Sequence, residues 1–273
     1  MHHIIDDTAA AALLPALEAN MIAFYTAYGR APGGTVHATS DVVWCYTGIP
    51  DPLFNGVFAV RSTVAGVTAT IAQLTAIIAA RGAPALWWIE PCAQPAQIGS
   101  LLEHHGLHVA GDVPGMAIDL SAIDSPPALP ADMTIQAVHT ADMQVLWART
   151  AALGSGLASD AAEALVRVEA TLSDPQYRAQ QRYLGFLQDR PIATAALVLD
   201  SGVAGIYAVA TLPTARRKGI GRMMTLLALL EARQQGYRVG VLQASAMGYP
   251  LYKQMGFREV CRYQLYLQSP AAD

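Results

Sequence analysis

The run from Gly205 to Glu231 constrains this chain more than any other. An apolar stretch, Gly205-Ile206-Tyr207-Ala208-Val209-Ala210-Thr211-Leu212-Pro213, breaks into Arg216-Arg217-Lys218-Gly219-Ile220-Gly221-Arg222 and continues as an apolar helix. The order is strand, basic glycine loop, helix. A loop ending at a helix N-terminus offers unpaired backbone N–H groups and the positive end of the helix dipole. The two glycines let a ligand approach the backbone closely. The cations Arg216, Arg217, Lys218 and Arg222 add to an anion site that the backbone already makes. A phosphate-bearing ligand is expected here; the bland alternative is a basic turn before a surface helix.

Spacing narrows the ligand. The nucleotide P-loop needs G-x-x-x-x-G-K-[ST], and the chain has no such run. The dinucleotide fingerprint needs a third glycine where Met224 stands. What remains is R-x-x-G-x-G, at Arg216, Gly219 and Gly221.

The remaining bounds are broad. A chain of 273 residues with 53% hydrophobic and 14% charged residues has ample core material for one large domain or two ordinary ones. A net charge of −4 argues against general nucleic-acid binding. Cys45, Cys92 and Cys261 are unclustered and odd in number, which suits a reducing cytoplasm and neither a disulfide framework nor a zinc site. The start carries Asp6 and Asp7 and no Lys or Arg, the reverse of an export signal. Pro191 to Pro213 is apolar, but Asp200-Ser201-Gly202 at its centre reads as a hairpin turn, so no membrane partner is expected.

Ser125-Pro126-Pro127-Ala128-Leu129-Pro130-Ala131 holds neither a helix nor a central strand and reads as a linker. It divides the chain into 1–124 and 132–273. In the second part, Met133–Val138 reads as a strand. Thr140 caps a helix to about Leu153, and Ser159 caps a second near Asp160–Leu172. Arg182–Leu187, Ile192–Leu199 and Val203–Leu212 read as strands, turned at Asp189-Arg190 and Ser201-Gly202. After the loop, Ile220, Met223, Met224, Leu227 and Leu230 line one helix face, and Gly236 ends it. Val239–Gln243 is a strand, Met247–Met255 a short helix and Phe257–Leu267 a last strand. The first part reads as a helix at Thr8–Tyr28, strands at Val42–Thr47 and Gly56–Val60, a helix at Thr68–Arg81, a strand at Ala85–Glu90, a helix at Gln94–His105 and a final run, Leu107–Leu120. Leu101 to Leu107 echoes Leu251 to Phe257, a helix closed by glycine and a large apolar residue. This points to a duplicated architecture.

The element order over roughly 132–268 and its two motifs resemble the GCN5-related N-acetyltransferase (GNAT) superfamily. R-x-x-G-x-G is similar to that family's acyl-CoA pyrophosphate loop. Ser245-x-x-Gly248-x-x-Leu251-Tyr252-x-x-x-Gly256-Phe257 resembles its N-x-x-A-x-x-L-Y-x-x-x-G-F segment, with Ser245 for Asn and Gly248 for Ala. The resemblance implies an α/β (α+β) mixed-sheet fold in tandem, with a degenerate first copy. It also implies acetyl-CoA as co-substrate and a small-molecule or peptide amine as acceptor.

On the same resemblance, pantetheine inserts beside the strand ahead of the loop, pairing with backbone groups around Val209, Ala210 and Thr211. A backbone N–H of that strand polarises the acyl carbonyl. The N–H groups of Arg217, Lys218, Gly219, Ile220, Gly221 and Arg222 hold the pyrophosphate. Arg216 and Lys218 add charge or lie in solvent. Tyr252 is the expected acid, since a phenol with a pKa of about 10 is protonated at neutral pH and can donate to the leaving thiolate; alternatively its hydroxyl rests on the cofactor sulfur without a catalytic part.

No base is named. The family often supplies a carboxylate from the strand ahead of the loop, and Gly205–Leu212 contains none. Tyr207 orients a water or belongs to the core. Asp160 and Glu163 reach an acceptor groove or stand in solvent. His104, His105 and His108 are interrupted by Gly106 and give no metal set. In the first copy Leu102 replaces the tyrosine, and Arg61 to Gly66 lacks the glycine spacing. The aromatic run Trp44 to Gly56 lines an acceptor pocket or packs on Trp87 or Trp88. The expected activity is direct transfer of acetyl to an amine in a ternary complex; the alternative is an acyl-CoA-binding sensor without turnover.

Overall fold

The computed structural model describes residues 4–5, 9–123, 129, 132–172 and 180–270. The first elements are α1 (Ala10–Gly29), β1 (Thr35–Ala38), β2 (Val43–Tyr46), β3 (Gly56–Phe58), α2 (Val64–Arg81), β4 (Ala85–Ile89), α3 (Ile98–His104) and β5 (His108–Asp119). They are followed by β6 (Met133–Ala137), α4 (Ala141–Ser155), α5 (Ser159–Thr171), β7 (Gln180–Leu187), β8 (Arg190–Asp200) and β9 (Val203–Thr211). The last are α6 (Ile220–Gln234), β10 (Val239–Gln243), α7 (Tyr249–Gln254) and β11 (Arg258–Gln268). From β6 onward this is the order read from the sequence. The proline-rich segment 125–131 lies outside the described residues apart from Leu129.

The chain condenses into two compact units that are not successive stretches. Among the described residues, one unit holds those up to Phe24 and from Gly115 to Val260; the other holds Tyr25–Pro114 and those from Cys261 onward. Strand pairing is the reason. The end of β5 pairs antiparallel with β10, from Gly115↔Gln243 to Asp119↔Val239. The end of β11 pairs antiparallel with β4, from Gln264↔Ile89 to Gln268↔Ala85.

In the first of these units the strand order is β6-β7-β8-β9-β10-β5, antiparallel except for the β9–β10 pair. Met224, Leu226 and Leu229 of α6 lie in a cluster with Ala195, Leu197, Ile206 and Leu242. The indole of Trp147 on α4 donates to the Ala195 carbonyl at 3.1 Å. Beneath it, Arg182 is held in two-point fashion by Glu169, with Nε–Oε2 at 2.9 Å and Nη2–Oε1 at 3.0 Å. Gln144 also donates to Glu169, and the Arg182 guanidinium lies 5.1 Å from the Trp147 ring centre. Glu169 is fully buried, so this charge is tolerated because arginine and glutamine satisfy it.

The other unit has the order β1-β2-β3-β4-β11, with only β3 and β4 parallel. By length and composition α2 is apolar enough to cross a membrane, yet its Val67, Ile71, Leu74 and Ile78 are buried in a cluster with Trp44, Tyr46, Trp87 and Tyr266. Asn55, fully buried, knits the preceding loop. Its amide donates to the carbonyls of Ile49 (2.9 Å), Asp51 (3.2 Å) and Pro84 (2.9 Å), and its oxygen accepts from the Thr47 N–H at 2.9 Å. The aromatic run 44–56 therefore packs in the core of this unit, with Trp44 and Tyr46 beside Trp87.

Several local expectations shift. Ser159 does not cap α5; the cap position is Ala158, and no side chain bonds there. The β7–β8 turn is Gln188-Asp189, both at positive φ, because Leu187 pairs with Arg190. The Ser201-Gly202 turn forms as read, with φ of 53° and 76°. The helix read at Gln94–His105 starts only at Ile98, since Gln94 is held extended by backbone pairing at Arg61. The helix read from Thr68 starts at Val64, with the Thr63 hydroxyl accepting from the Gly66 N–H. The helix read at Met247–Met255 narrows to α7. Strand β1 has four half-exposed or exposed residues and no apolar alternation that would have revealed it.

Candidate active site

The site forms where β9 and β10 part. Their parallel register consists of Ala204↔Gly240 and Gly205↔Val241, and β9 continues beyond it to Thr211. A bulge turns β9 at this point. Between the pairs Ala196↔Tyr207 and Thr194↔Ala210, β9 holds one residue more than β8, and Ala208 takes φ 47°. The Thr194 hydroxyl donates to the Ala208 carbonyl at 2.8 Å and fixes the bulge. Past it, Leu212 N–H donates to Ile192 O at 2.9 Å. Alternation along the strand then turns the backbone groups of Val209 and Thr211 away from β8, toward the gap.

A second anchor holds the same stretch from α1. The Tyr207 hydroxyl donates to Asn20 Oδ1 at 2.8 Å, and its ring stacks on Phe24 at 4.2 Å. Asn20 in turn donates to the carbonyls of Val198 (3.1 Å), Asp200 (3.0 Å) and Val203 (3.2 Å). Gly205 is required here, since a Cβ would stand 1.9 Å from Asn20 Oδ1. Of the two roles open to Tyr207, the structure shows the core one: its hydroxyl is already committed.

The glycine loop follows. Arg217 and Gly219 take φ of 60° and 76°, bringing the chain into α6, and no side chain caps that helix. The N–H groups of its first turn are left without intrahelical acceptors. Arg217, Lys218 and Arg222 are exposed around them. Arg216 is placed differently: Nε donates to Thr211 O at 3.1 Å and Nη2 to Gly154 O at 3.0 Å. It ties the loop to the ends of β9 and α4. Gly154 allows that approach, as a Cβ there would meet the Ala210 Cβ at 2.9 Å.

The two glycines of the motif differ. Gly219 needs its positive φ. Gly221 does not: a Cβ there would find only ordinary contacts, Leu251 Cδ2 at 3.7 Å, Thr211 Oγ1 at 3.8 Å and Val209 Cγ1 at 3.9 Å. The fold leaves room for a methyl at 221, facing the side chains of Val209 and Thr211.

Tyr252 on α7 is buried, its ring set edge-on to Phe257 at 5.6 Å. Burial pushes its phenol up to about 12, partly offset by a hydrogen bond with the Thr225 side chain. The Thr225 hydroxyl, on α6, donates to the Gly221 carbonyl at 2.9 Å. It thereby joins the loop to the tyrosine. The sequence reading missed Thr225, although it stands four residues after Gly221 as a polar residue among apolar ones. A methyl at Gly248 would come within 2.9 Å of the Tyr252 ring, so glycine at the family's alanine position makes space for that ring.

The other candidates lie elsewhere. Asp160 is exposed and accepts from the Ala161 N–H at 2.9 Å. Glu163 is exposed and 4.0 Å from Arg167. His105 bonds the Leu101 carbonyl through Nδ1 at 2.9 Å. No group of three or more His, Cys, Asp or Glu is placed to share a metal ion among the described residues.

Comparison with known proteins agrees with this geometry. Residues 177–259 match the family described as Acetyltransferase (GNAT) domain. The chain has the tandem GNAT fold. It is similar to a GCN5-related N-acetyltransferase from Kribbella flavida, with 18% identity, TM-score 0.67 and 98% of each chain covered. A tandem GNAT protein from the clavulanic acid biosynthesis pathway gives 13% identity and TM-score 0.63 over 98% of this chain and 97% of that one. A GCN5-related N-acetyltransferase from Sphaerobacter thermophilus gives 17% identity and TM-score 0.59 over 96% and 95%. No curated protein matches in sequence. The GNAT match covers the bulged strand, the loop, α6 and Tyr252, and it supports acyl transfer as the class of function.

Proposed function

We propose that this protein transfers an acetyl group from acetyl-CoA to a primary amine, using the unit that contains Arg216–Arg222 and Tyr252. The observation that carries the reading is Gly221. A helix position that tolerates a side chain yet lacks one, beside uncapped N–H groups and three exposed cations, suits a ligand pressed against the backbone. When bound, acetyl-CoA supplies the thioester. The N–H groups of residues 217–222 would hold its pyrophosphate. Val209 O and Thr211 N–H would pair with pantetheine, whose amides otherwise lose hydrogen bonds on burial.

In the reaction the amine nitrogen bonds to the acyl carbon and the carbon–sulfur bond breaks. The electron pair leaves on sulfur, and the proton that the amine releases passes to solvent, from which the thiolate is protonated to the thiol. Tyr252 is protonated throughout the neutral range. An ordinary thiol near pKa ~8.5 is the stronger acid, so the first contribution of Tyr252 is a hydrogen bond to the developing thiolate. The test is thiol release from acetyl-CoA with a panel of amines, in the wild type and in Tyr252→Phe. A fall in kcat of about 10²-fold or more, with acetyl-CoA affinity held, supports the assignment. An unchanged kcat removes Tyr252 from the chemistry.

One observation favours a second reading, an acyl-CoA sensor. The strand ahead of the loop carries no carboxylate, and the Tyr207 hydroxyl is committed to Asn20. Tight acetyl-CoA binding without turnover on any amine would select the sensor. In either case the Tyr25–Pro114 unit is assigned a structural or acceptor-binding part.

A further inference from the structure

The second unit repeats the bulged strand in detail. Gly56-Val57-Phe58-Ala59-Val60 stands where Gly205-Ile206-Tyr207-Ala208-Val209 stands in the first, and Ala59 takes φ 50° where Ala208 takes 47°. The parallel registers agree, Gly56 pairing with Leu86 as Gly205 pairs with Val241. The outer edge agrees as well: Arg61 N–H donates to Asp41 O at 2.9 Å, facing the preceding strand as Ala210 faces Thr194. Val60 and Ser62 are therefore the counterparts of Val209 and Thr211, with their backbone groups turned to a gap.

In this unit the gap is filled by the chain. Gln94 N–H donates to Val60 O at 3.2 Å and Ser62 N–H donates to Gln94 O at 3.4 Å, a parallel bridge centred on Arg61. Beside it Arg61 Nη2 lies 3.3 Å from the buried carboxylate of Glu90, whose register counterpart is Ser245. Thr63 caps α2, whereas α6 has no side-chain cap.

We propose that residue Gln94 permanently occupies the second acyl-CoA slot, making with Val60 and Ser62 the two hydrogen bonds that pantetheine would make with Val209 and Thr211. The Val60 carbonyl and the Ser62 N–H, satisfied this way, are not left for a ligand amide. Buried Glu90 and the capped helix disfavour an anionic ligand further. The loss of acyl-CoA binding in this unit is thus an occupancy and not only a missing glycine motif.

The inference rests on the proposed function for its comparison with pantetheine, and the test separates the two. Residue-resolved amide exchange on the full chain is followed without and with acetyl-CoA, alongside calorimetric stoichiometry. Ser62 and Gln94 amides are expected to exchange on the order of a hundredfold slower than open amides before any ligand is added, and not to respond to acetyl-CoA. The Thr211 amide is expected to exchange fast and to slow on binding, with one equivalent bound per chain. Fast exchange at Ser62 and Gln94 in the free protein overturns the proposal, as does a second equivalent that protects them. If no acetyl-CoA binds, the proposed function fails, and the free-protein exchange still decides the occupancy. Gly221→Val supplies a second arm: it should abolish all acetyl-CoA binding, and residual binding that slows Ser62 or Gln94 also overturns the proposal.

Discussion

Asn20 offers a sharp test of how the bulged strand is held. It is fully buried, accepts the Tyr207 hydroxyl at 2.8 Å and shares two amide protons among three carbonyls of the β8–β9 hairpin. Tyr207→Phe keeps the ring stack on Phe24 and removes only the hydroxyl, leaving Asn20 Oδ1 without its donor. One buried unsatisfied acceptor costs about 1–3 kcal/mol. Asn20→Ala leaves the tyrosine hydroxyl without its acceptor and three carbonyls without their shared donors, besides a small void. Its cost should be about 3–5 kcal/mol. The double variant no longer has a stranded hydroxyl, so the two losses should not add. A coupling of about 1–2 kcal/mol is expected, well above the ~0.3–0.5 kcal/mol scatter of independent sites. Urea unfolding, with the transition of the unit containing these residues followed separately, measures the four corners of the cycle. Additive losses, or a cost for Asn20→Ala below about 1 kcal/mol, would refute the assignment of this contact as the anchor.

Four other outcomes follow from the same geometry. Gly221→Ala should leave stability within about 0.5 kcal/mol, because its Cβ meets only ordinary contacts, while acetyl-CoA affinity measured by calorimetry falls; equal affinity would remove the loop from the binding site. Gly219→Ala should cost about 1 kcal/mol or more in unfolding free energy, because its φ is 76°. Glu169→Ala strands Arg182 in the core and should cost about 3–5 kcal/mol, whereas Glu169→Leu with Arg182→Met should recover much of that in the same denaturation assay. Finally, the native Tyr252 phenol stays protonated up to about 12, while an unfolded one ionises near 10. Its raised native value therefore stabilises the fold below pH ~10, and that contribution is lost as pH rises from there toward 12, at up to about 1.4 kcal/mol per pH unit. Tyr252→Phe should flatten the alkaline fall in unfolding free energy, and an unchanged slope would contradict the burial of the hydroxyl.

The loop from Arg216 to Arg222, the helix after it and the Tyr252 segment were legible in the sequence for a local reason. Their spacing is set by one strand end, one turn and one helix start, and the uncapped N–H groups at that start belong to consecutive residues. The element order from β6 to β11 was legible too, because apolar periodicity and turn residues mark it. What the sequence could not show is what pairs across distance. Asn20 looks like a stray polar residue in an apolar helix until folding sets it against Tyr207, 187 residues away. Arg216 reads as a cation for phosphate, yet its guanidinium is held by the Thr211 and Gly154 carbonyls.

The repeat itself was visible at Leu101–Leu107 and Leu251–Phe257, but not how it was used. Exchange of the ends of β5 and β11 between the units depends on strand pairing, which leaves no periodic trace in either strand. The filling of one gap by Gln94 depends on a backbone bridge, and backbone groups are the same in every residue. The sequence by itself determined the strand–loop–helix order and its glycine turn, since these are written in neighbours. Only the tertiary structure decided which of two similar strand edges stays open, since an edge is open or closed according to what else in the chain reaches it.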